Sequence, residues 1–228
     1  MSRFSNLGYT PLDIPGIEFD NHLLESTMSK IGISHHPYGD IWQAITVLGR
    51  ASDFQDPISC YSAWKARYDT QGKVFVNHNI VSDLLVPILH LINQLPYDVC
   101  TFAQILSQKT DVPPHQDVVY ESSVDAHDGV YTDNTVGEPE PAGLKILLSQ
   151  KSVRSFYLMK DAKSKRDFIR VPEDTNCFAI NERTFFHGAK HPKQFKFIIS
   201  TFGIIDRVKH SNLITKSVEK YKDYTIWY

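Results

Sequence analysis

Two imidazoles and one carboxylate stand out as groups that could share a metal. His115 and Asp117 lie in Val112-Pro113-Pro114-His115-Gln116-Asp117, and His187 lies in Phe185-Phe186-His187-Gly188-Ala189. That donor set holds a ferrous ion from one side and leaves the opposite positions open. His and Asp two residues apart project to the same side of an extended segment, because strand side chains alternate. One strand end therefore delivers two ligands, and a second strand has to bring the third. The triplet alone is a weak signal, since about 0.8 His-x-Asp triplets arise by chance at these residue frequencies. Its weight comes from context: strand-like runs before each half, Gly188 directly after His187, and a Lys-bearing strand beyond it.

The elements that must position these groups are readable in part. Residues 42–48 alternate and predict a strand. Across residues 81–95, Leu84, Leu85, Ile88, Leu89, Leu91 and Ile92 recur at three- and four-residue steps, which predicts a helix opened by Ser82-Asp83. Residues 20–29 predict a short helix capped by Asp20 or Asn21, and residues 212–224 a loosely periodic one. After Pro96 the pattern becomes short strands at 99–107, 143–149, 153–159, 167–171, 175–180 and 194–204, with turn residues between. That spacing means a sandwich or barrel for the C-terminal half. Residues 1–20 read as an arm laid over other elements, and residues 50–75 as irregular. The expectation is a mainly β single domain over residues 1–228 with flanking helices: 1–96 supporting, 97–206 the β core, 207–228 a tail.

Composition bounds the setting. The chain has 228 residues, 42% hydrophobic and 22% charged, with a net charge of -2. This is ordinary for a soluble protein and argues against a nucleic-acid binder with a broadly basic face. Cys60, Cys100 and Cys177 are scattered, with no Cys-x-x-Cys pair, so neither a disulfide framework nor a structural zinc site is expected. No apolar run suggests a leader or a membrane span, and a reducing, cytoplasmic setting is the expectation. His35 and His36 are neighbours in a turn-like stretch and would point to opposite faces of a strand, so they read as loop residues. His90 reads as a half-exposed helix residue. Between Asp117 and Gly143 the chain carries Glu121, Asp125, Asp128, Asp133, Glu138 and Glu140 with no Lys or Arg. This insertion reads as a solvated loop, or as a lid that would favour a cationic substrate group.

From about residue 97 to 206 the sequence resembles the Fe(II)- and 2-oxoglutarate-dependent dioxygenases. The local flavour is similar to the aspartyl/asparaginyl-hydroxylase and prolyl-hydroxylase branches: a Pro-rich lead into His-x-Asp, then His-Gly-Ala before the last core strand. The resemblance implies a double-stranded β-helix (a jelly-roll, cupin-like barrel), with His115, Asp117 and His187 as iron ligands. It also implies a cation about ten residues after the second His to hold the distal carboxylate of 2-oxoglutarate. Lys196 sits nine residues after His187. Strand parity places Ser200 on its face, where its hydroxyl could serve the same carboxylate. Lys145, within Gly143-Leu144-Lys145-Ile146-Leu147-Leu148, is the second candidate, since a charge in an apolar run needs a reason. The reaction expected is hydroxylation of an amino acid, a peptide side chain or another small substrate by O2, releasing succinate and CO2. The alternatives are a cupin-like hydrolase or isomerase using the metal as Lewis acid, and a metal-binding sensor without turnover. Ser/His/Asp nucleophilic catalysis has no support, because no Gly-x-Ser-x-Gly elbow is present.

Overall fold

The chain's apolar residues separate into two layers on either side of one sheet. The computed structural model describes residues 4–34, 42–55, 73–116, 141–149, 155–182, 184–191 and 196–228. Its strands are β1 (Leu7–Pro11), β2 (Ile33–Ser34), β3 (Trp42–Gly49), β4 (Phe75–Val76), β5 (Tyr97–Gln108), β6 (Val112–His115), β7 (Gly143–Leu147), β8 (Phe156–Met159), β9 (Asp167–Phe168), β10 (Cys177–Ile180), β11 (Phe186–Ala189), β12 (Phe197–Ile205) and β13 (Ile226–Trp227). The helices are α1 (Asn21–Ile31), α2 (Ala51–Gln55), α3 (Ser82–Gln94) and α4 (Arg207–Lys220).

The larger sheet runs β13-β1-β10-β7-β12-β5-β3-β2, with β4 on β3, and the smaller runs β6-β11-β8-β9. Within these, strands β5 to β12 form the orders β5-β12-β7-β10 and β6-β11-β8-β9, all antiparallel. Apart from the β8–β9 hairpin, successive strands alternate between the two sheets, so the chain winds as a double-stranded β-helix, the jelly-roll arrangement of eight strands.

Alternation sorts the strand residues. One face of the large sheet carries Ala103, Ile105, Leu144, Ile146, Cys177, Ala179 and Ile199, packed against Leu84, Ile88, Leu91 and Ile92 of α3, Leu24 and Met28 of α1, and Ile214 of α4. The opposite face carries Leu147, Phe178, Ile180 and Ile198, which meet Leu158 of the smaller sheet and Phe185, just before β11, and form the barrel interior. Strands covered on both sides read as almost continuous apolar runs, which is why β7 and β12 show little polar alternation in sequence.

α1 begins where expected, its first turn held by the Asp20 side chain, which accepts from the backbone N–H groups of His22 and Leu23. α3 matches its periodicity, but Val81 occupies the cap position without a side-chain bond; Ser82 donates instead to Asp83. His90 is exposed on α3. Several elements differ from the sequence expectation, among them α2 and the start of β4, which fall in the stretch read as irregular. Residues 7–11 are not an arm but a strand inserted between β10 and β13. The terminal helix starts at Arg207, five residues before its apolar pattern, because the Asp206 carboxylate accepts from the N–H groups of Val208 and Lys209. It ends at Lys220, and the chain then turns back as β13, whose Ile226 joins the interior. His35, His36 and most of the expected irregular stretch lie outside the described residues, as does Cys60. Cys100 and Cys177 are free, and burial pushes both thiols up to about 12. No helix among the described residues is long and apolar enough to cross a membrane.

Candidate functional site

Pro113 and Pro114 cannot donate to a sheet ladder, and they occur on β6, which is an edge strand of the smaller sheet. Both prolines also favour extended backbone, which carries His115 to the end of β6 with its direction fixed. There it pairs in register with His187 of β11. The two rings lie with centroids 4.2 Å apart and planes inclined at 50°. Nδ1 of His115 is 2.9 Å from the Pro113 carbonyl oxygen. A carbonyl only accepts, so Nδ1 carries the proton there, which leaves Nε2 as the ring nitrogen able to face a metal. His187 also pairs with Leu158, an interior residue, so it faces the inside of the barrel. Burial drives its pKa down to about 3, against an opposing pull from Glu182, so the ring is neutral near pH 7. A neutral imidazole is the form that ligates a metal.

Two contacts fix this corner. The Gln116 amide donates to the Thr184 carbonyl at 2.9 Å, tying the end of β6 to the turn before β11. Gly188 lets the Tyr157 hydroxyl cross its Cα and donate to the Val112 carbonyl at 3.2 Å. A methyl added at Gly188 would meet that hydroxyl and lie 2.7 Å from the Val112 carbonyl oxygen. Gly188→Ala is therefore expected to cost about 1–3 kcal/mol, the usual range for overpacking. Denaturant unfolding measures the loss, which Tyr157→Phe in the same chain should partly relieve.

Asp117, the third expected ligand, lies outside the described residues, as do residues 118–140 of the acidic insertion. Among the described residues no group of three or more His, Cys, Asp or Glu side chains is arranged to hold a metal.

The lysines divide differently from the sequence expectation. Lys145 is not surrounded only by apolar neighbours: it pairs across the sheet with Ser200. Its Nζ donates to Ser200 Oγ at 3.4 Å and forms an ion pair with Glu182 at 3.0 Å. Ser200 thus serves Lys145, although strand parity puts it on the same face as Lys196. Lys196 is 1% exposed, lies against the Phe156 ring with Nζ 2.8 Å from its centroid, and has no hydrogen-bond partner among the described residues. Burial holds its pKa well below the usual lysine value.

Sequence reading missed three polar residues of this interior. Glu182 follows β10 in a turn and carries no motif. Gln104 and Gln108 share a strand face with Phe102 and Leu106, so alternation alone does not say whether that face is inside. In the fold Gln104 pairs with Ser200, and Gln108 donates its backbone N–H to the Lys196 carbonyl. Both side chains are buried, and Gln104 Nε2 and Gln108 Oε1 have no partner among the described residues.

No protein-family model matches the sequence, and no curated protein does. Similar solved structures include a 2OG-Fe(II) oxygenase. This is an oxidoreductase of that family from Burkholderia pseudomallei, 10% identical, with a TM-score of 0.36, covering 86% of this chain and 83% of its own. Another is a full-length Neurospora crassa protein in complex with alpha-KG, 9% identical, with a TM-score of 0.34, covering 89% of this chain and 75% of its own. The same protein with alpha-KG and 5-formyluracil is 10% identical, with a TM-score of 0.33 and the same coverage of 89% and 75%. At these values the likeness does not bear on what this chain binds. The strand order of the barrel stands on its own hydrogen bonding.

Proposed function

We propose that this chain is a non-haem Fe(II)- and 2-oxoglutarate-dependent dioxygenase that hydroxylates an amino acid, a peptide side chain or another small substrate. The observation that carries this reading is the juxtaposition of His115 and His187 on the interior wall of a double-stranded β-helix. The donor chemistry fits the metal. One ring has its Nδ1 proton fixed on a carbonyl, the other is held neutral by burial, and Asp117 follows His115 by the two residues that parity requires. The cosubstrate also fits. Lys196 is a buried amine whose charged form needs an anion, whereas Lys145 already has Glu182.

In this reading His115, Asp117 and His187 hold the iron, and Lys196 takes the distal carboxylate. Phe156, which Lys196 contacts, lies one two-residue step along β8 from Leu158, the partner of His187. That step is about 7 Å, a suitable span for a five-carbon dicarboxylate. The apolar row Leu106, Ile198 and Leu147 lies between the Lys196 level and the Lys145–Ser200 level, and would pack on its methylenes. The iron, when bound with 2-oxoglutarate, supplies the oxidation: O2 places one oxygen in succinate, with loss of CO2, and the other in a substrate C–H bond. The chain's own residues bind, orient and exclude water.

The test is succinate formation from 2-oxoglutarate by the purified protein with Fe(II) under air, compared with His187→Ala. Turnover above the variant, even uncoupled, is the expected result. A wild type that hydrolyses or isomerises esters or sugars with any divalent ion, and never consumes 2-oxoglutarate, would move the chain to the Lewis-acid reading.

A further inference from the structure

The interior wall at the level of Lys196 carries two buried polar atoms with complementary needs. The Gln108 backbone N–H donates to the Lys196 carbonyl at 3.2 Å, which continues the β5–β12 register by one residue. Cross-strand neighbours leave a sheet on the same face, and both residues are 1% exposed. Gln108 Nε2 donates to the Thr110 carbonyl at 2.7 Å. A carbonyl only accepts, so this bond fixes which way round the amide sits. Gln108 Oε1 is thereby left as a buried acceptor, and it has no partner among the described residues. Lys196 Nζ brings the donors and has no hydrogen-bond partner there either, because it lies against the Phe156 ring.

We propose that Gln108 is a positioning residue for Lys196: when 2-oxoglutarate binds, the Lys196 amine leaves the Phe156 ring, takes up a proton, and divides its N–H groups between the distal carboxylate and Gln108 Oε1. The inference rests on the function proposed above, and it adds a proton and a second acceptor to the way the cosubstrate is held.

The surroundings of Lys196 explain why the proton arrives with the ligand. Its neighbours are Gln108 from β5, Ser149 just beyond β7 and Phe156 from β8, and none of them is charged. An ammonium held there without an anion is strongly unfavourable, and burial accordingly holds its pKa well below the ordinary lysine value. The neutral amine loses little by resting on an aromatic face, where an N–H makes a weak contact with the ring. An incoming carboxylate supplies the counter-charge. The amine then gains a third N–H from a solvent proton, and it can serve two acceptors at once. Gln108 Oε1 is the one already in place. Its amide is held from the other end by Thr110, so little side-chain freedom is lost when the new bond forms. An unmet buried acceptor is costly, and binding relieves it. Trp42, which pairs with Gln108 from β3 and packs on the interior cluster, adds to the apolar surround.

The test is calorimetric titration of 2-oxoglutarate into the Mn(II)-loaded protein, in buffers of different ionisation heat and at successive pH values up to the ordinary lysine value of 10.5. Where the free amine is neutral, wild type should take up about one proton per ligand more than Lys196→Met. Gln108→Met, close to Gln in length, should weaken binding about tenfold, the scale of one charge-assisted contact. Because Gln108 acts through Lys196, the same change in the Lys196→Met background should bring no further loss. Gln108→Glu should charge Lys196 before any ligand arrives, so it should cancel the proton uptake and weaken 2-oxoglutarate by about tenfold or more. A purely structural role, exercised through Thr110, would give the same loss in both backgrounds and leave the proton count of Gln108→Glu at the wild-type value. Either result overturns the inference, as does wild-type affinity in Gln108→Met or in Lys196→Met. Circular dichroism and Mn(II) spin resonance of the same samples identify variants that are folded and hold their metal. If Gln108→Met does not fold, the proton count of Gln108→Glu decides by itself. Absence of 2-oxoglutarate binding by the folded wild type would sink the oxygenase reading together with this one, whereas binding with additive losses would sink this one alone.

Discussion

Lys196→Met is expected to lower 2-oxoglutarate affinity roughly tenfold to a hundredfold, the effect of losing one charge-assisted hydrogen bond of about 1.5–3 kcal/mol. The same substitution is expected to stabilise the protein without cosubstrate, by about 1–4 kcal/mol, as when buried charges give way to packed apolar side chains. The two effects share a cause: a sealed amino group against the Phe156 ring, whose charged form has no anion from the described residues. The pH dependence has a definite sign. Burial lowers the pKa of Lys196 below its ordinary 10.5, so between the two values the unfolded chain binds more protons than the folded one. Wild-type stability contributed by this group therefore rises with pH, and the advantage of Lys196→Met shrinks as pH approaches 10.5. Anaerobic titration of the Fe(II) protein, followed at its charge-transfer band, measures affinity; denaturant unfolding at several pH values measures stability. Lys145→Met is the comparison, because Lys145 starts from an ion pair with Glu182 and its loss takes that pairing from the carboxylate. If Lys145→Met loses the affinity and Lys196→Met keeps it, the anchor is reassigned.

Single replacements of His115, Asp117 and His187 by Ala should each weaken Mn(II) or Co(II) binding by at least about tenfold and abolish succinate formation. The fold should survive, because the barrel's interior contacts come from Leu147, Leu158, Phe178, Ile180 and Ile198. His187→Ala is the most informative of the three. Its ring is held neutral by burial, so its removal takes away a ligand without stranding a charge. Metal content by spin resonance and secondary structure by circular dichroism separate lost ligation from lost folding. Three variants with wild-type metal content and turnover would remove the basis of the proposed function.

The sequence determined those features that depend on neighbours along the chain. Alternation located β3, β5 and β12, three- and four-residue spacing located α3, and Asp20 marked the start of α1, because each signal is a repeat or cap read within one turn or strand. The pairing of His115 with His187 was legible as two strand-borne imidazoles seeking one site, though not the register of β6 on β11 that closes it. β1 and β13 were not legible, since a short terminal strand has no period of its own and is defined by the partner it borders. Only the tertiary structure decided which face of β5 is inside. In sequence that face mixes Gln104 and Gln108 with Phe102 and Leu106, so alternation leaves its side undecided, whereas in the fold both glutamine side chains are buried. The two lysines were sorted at the same level. Lys145 found Ser200 and Glu182 from other strands, and Lys196 was left against Phe156, because charge pairing across a barrel depends on register and closure, neither of which is encoded in residues close together in the chain.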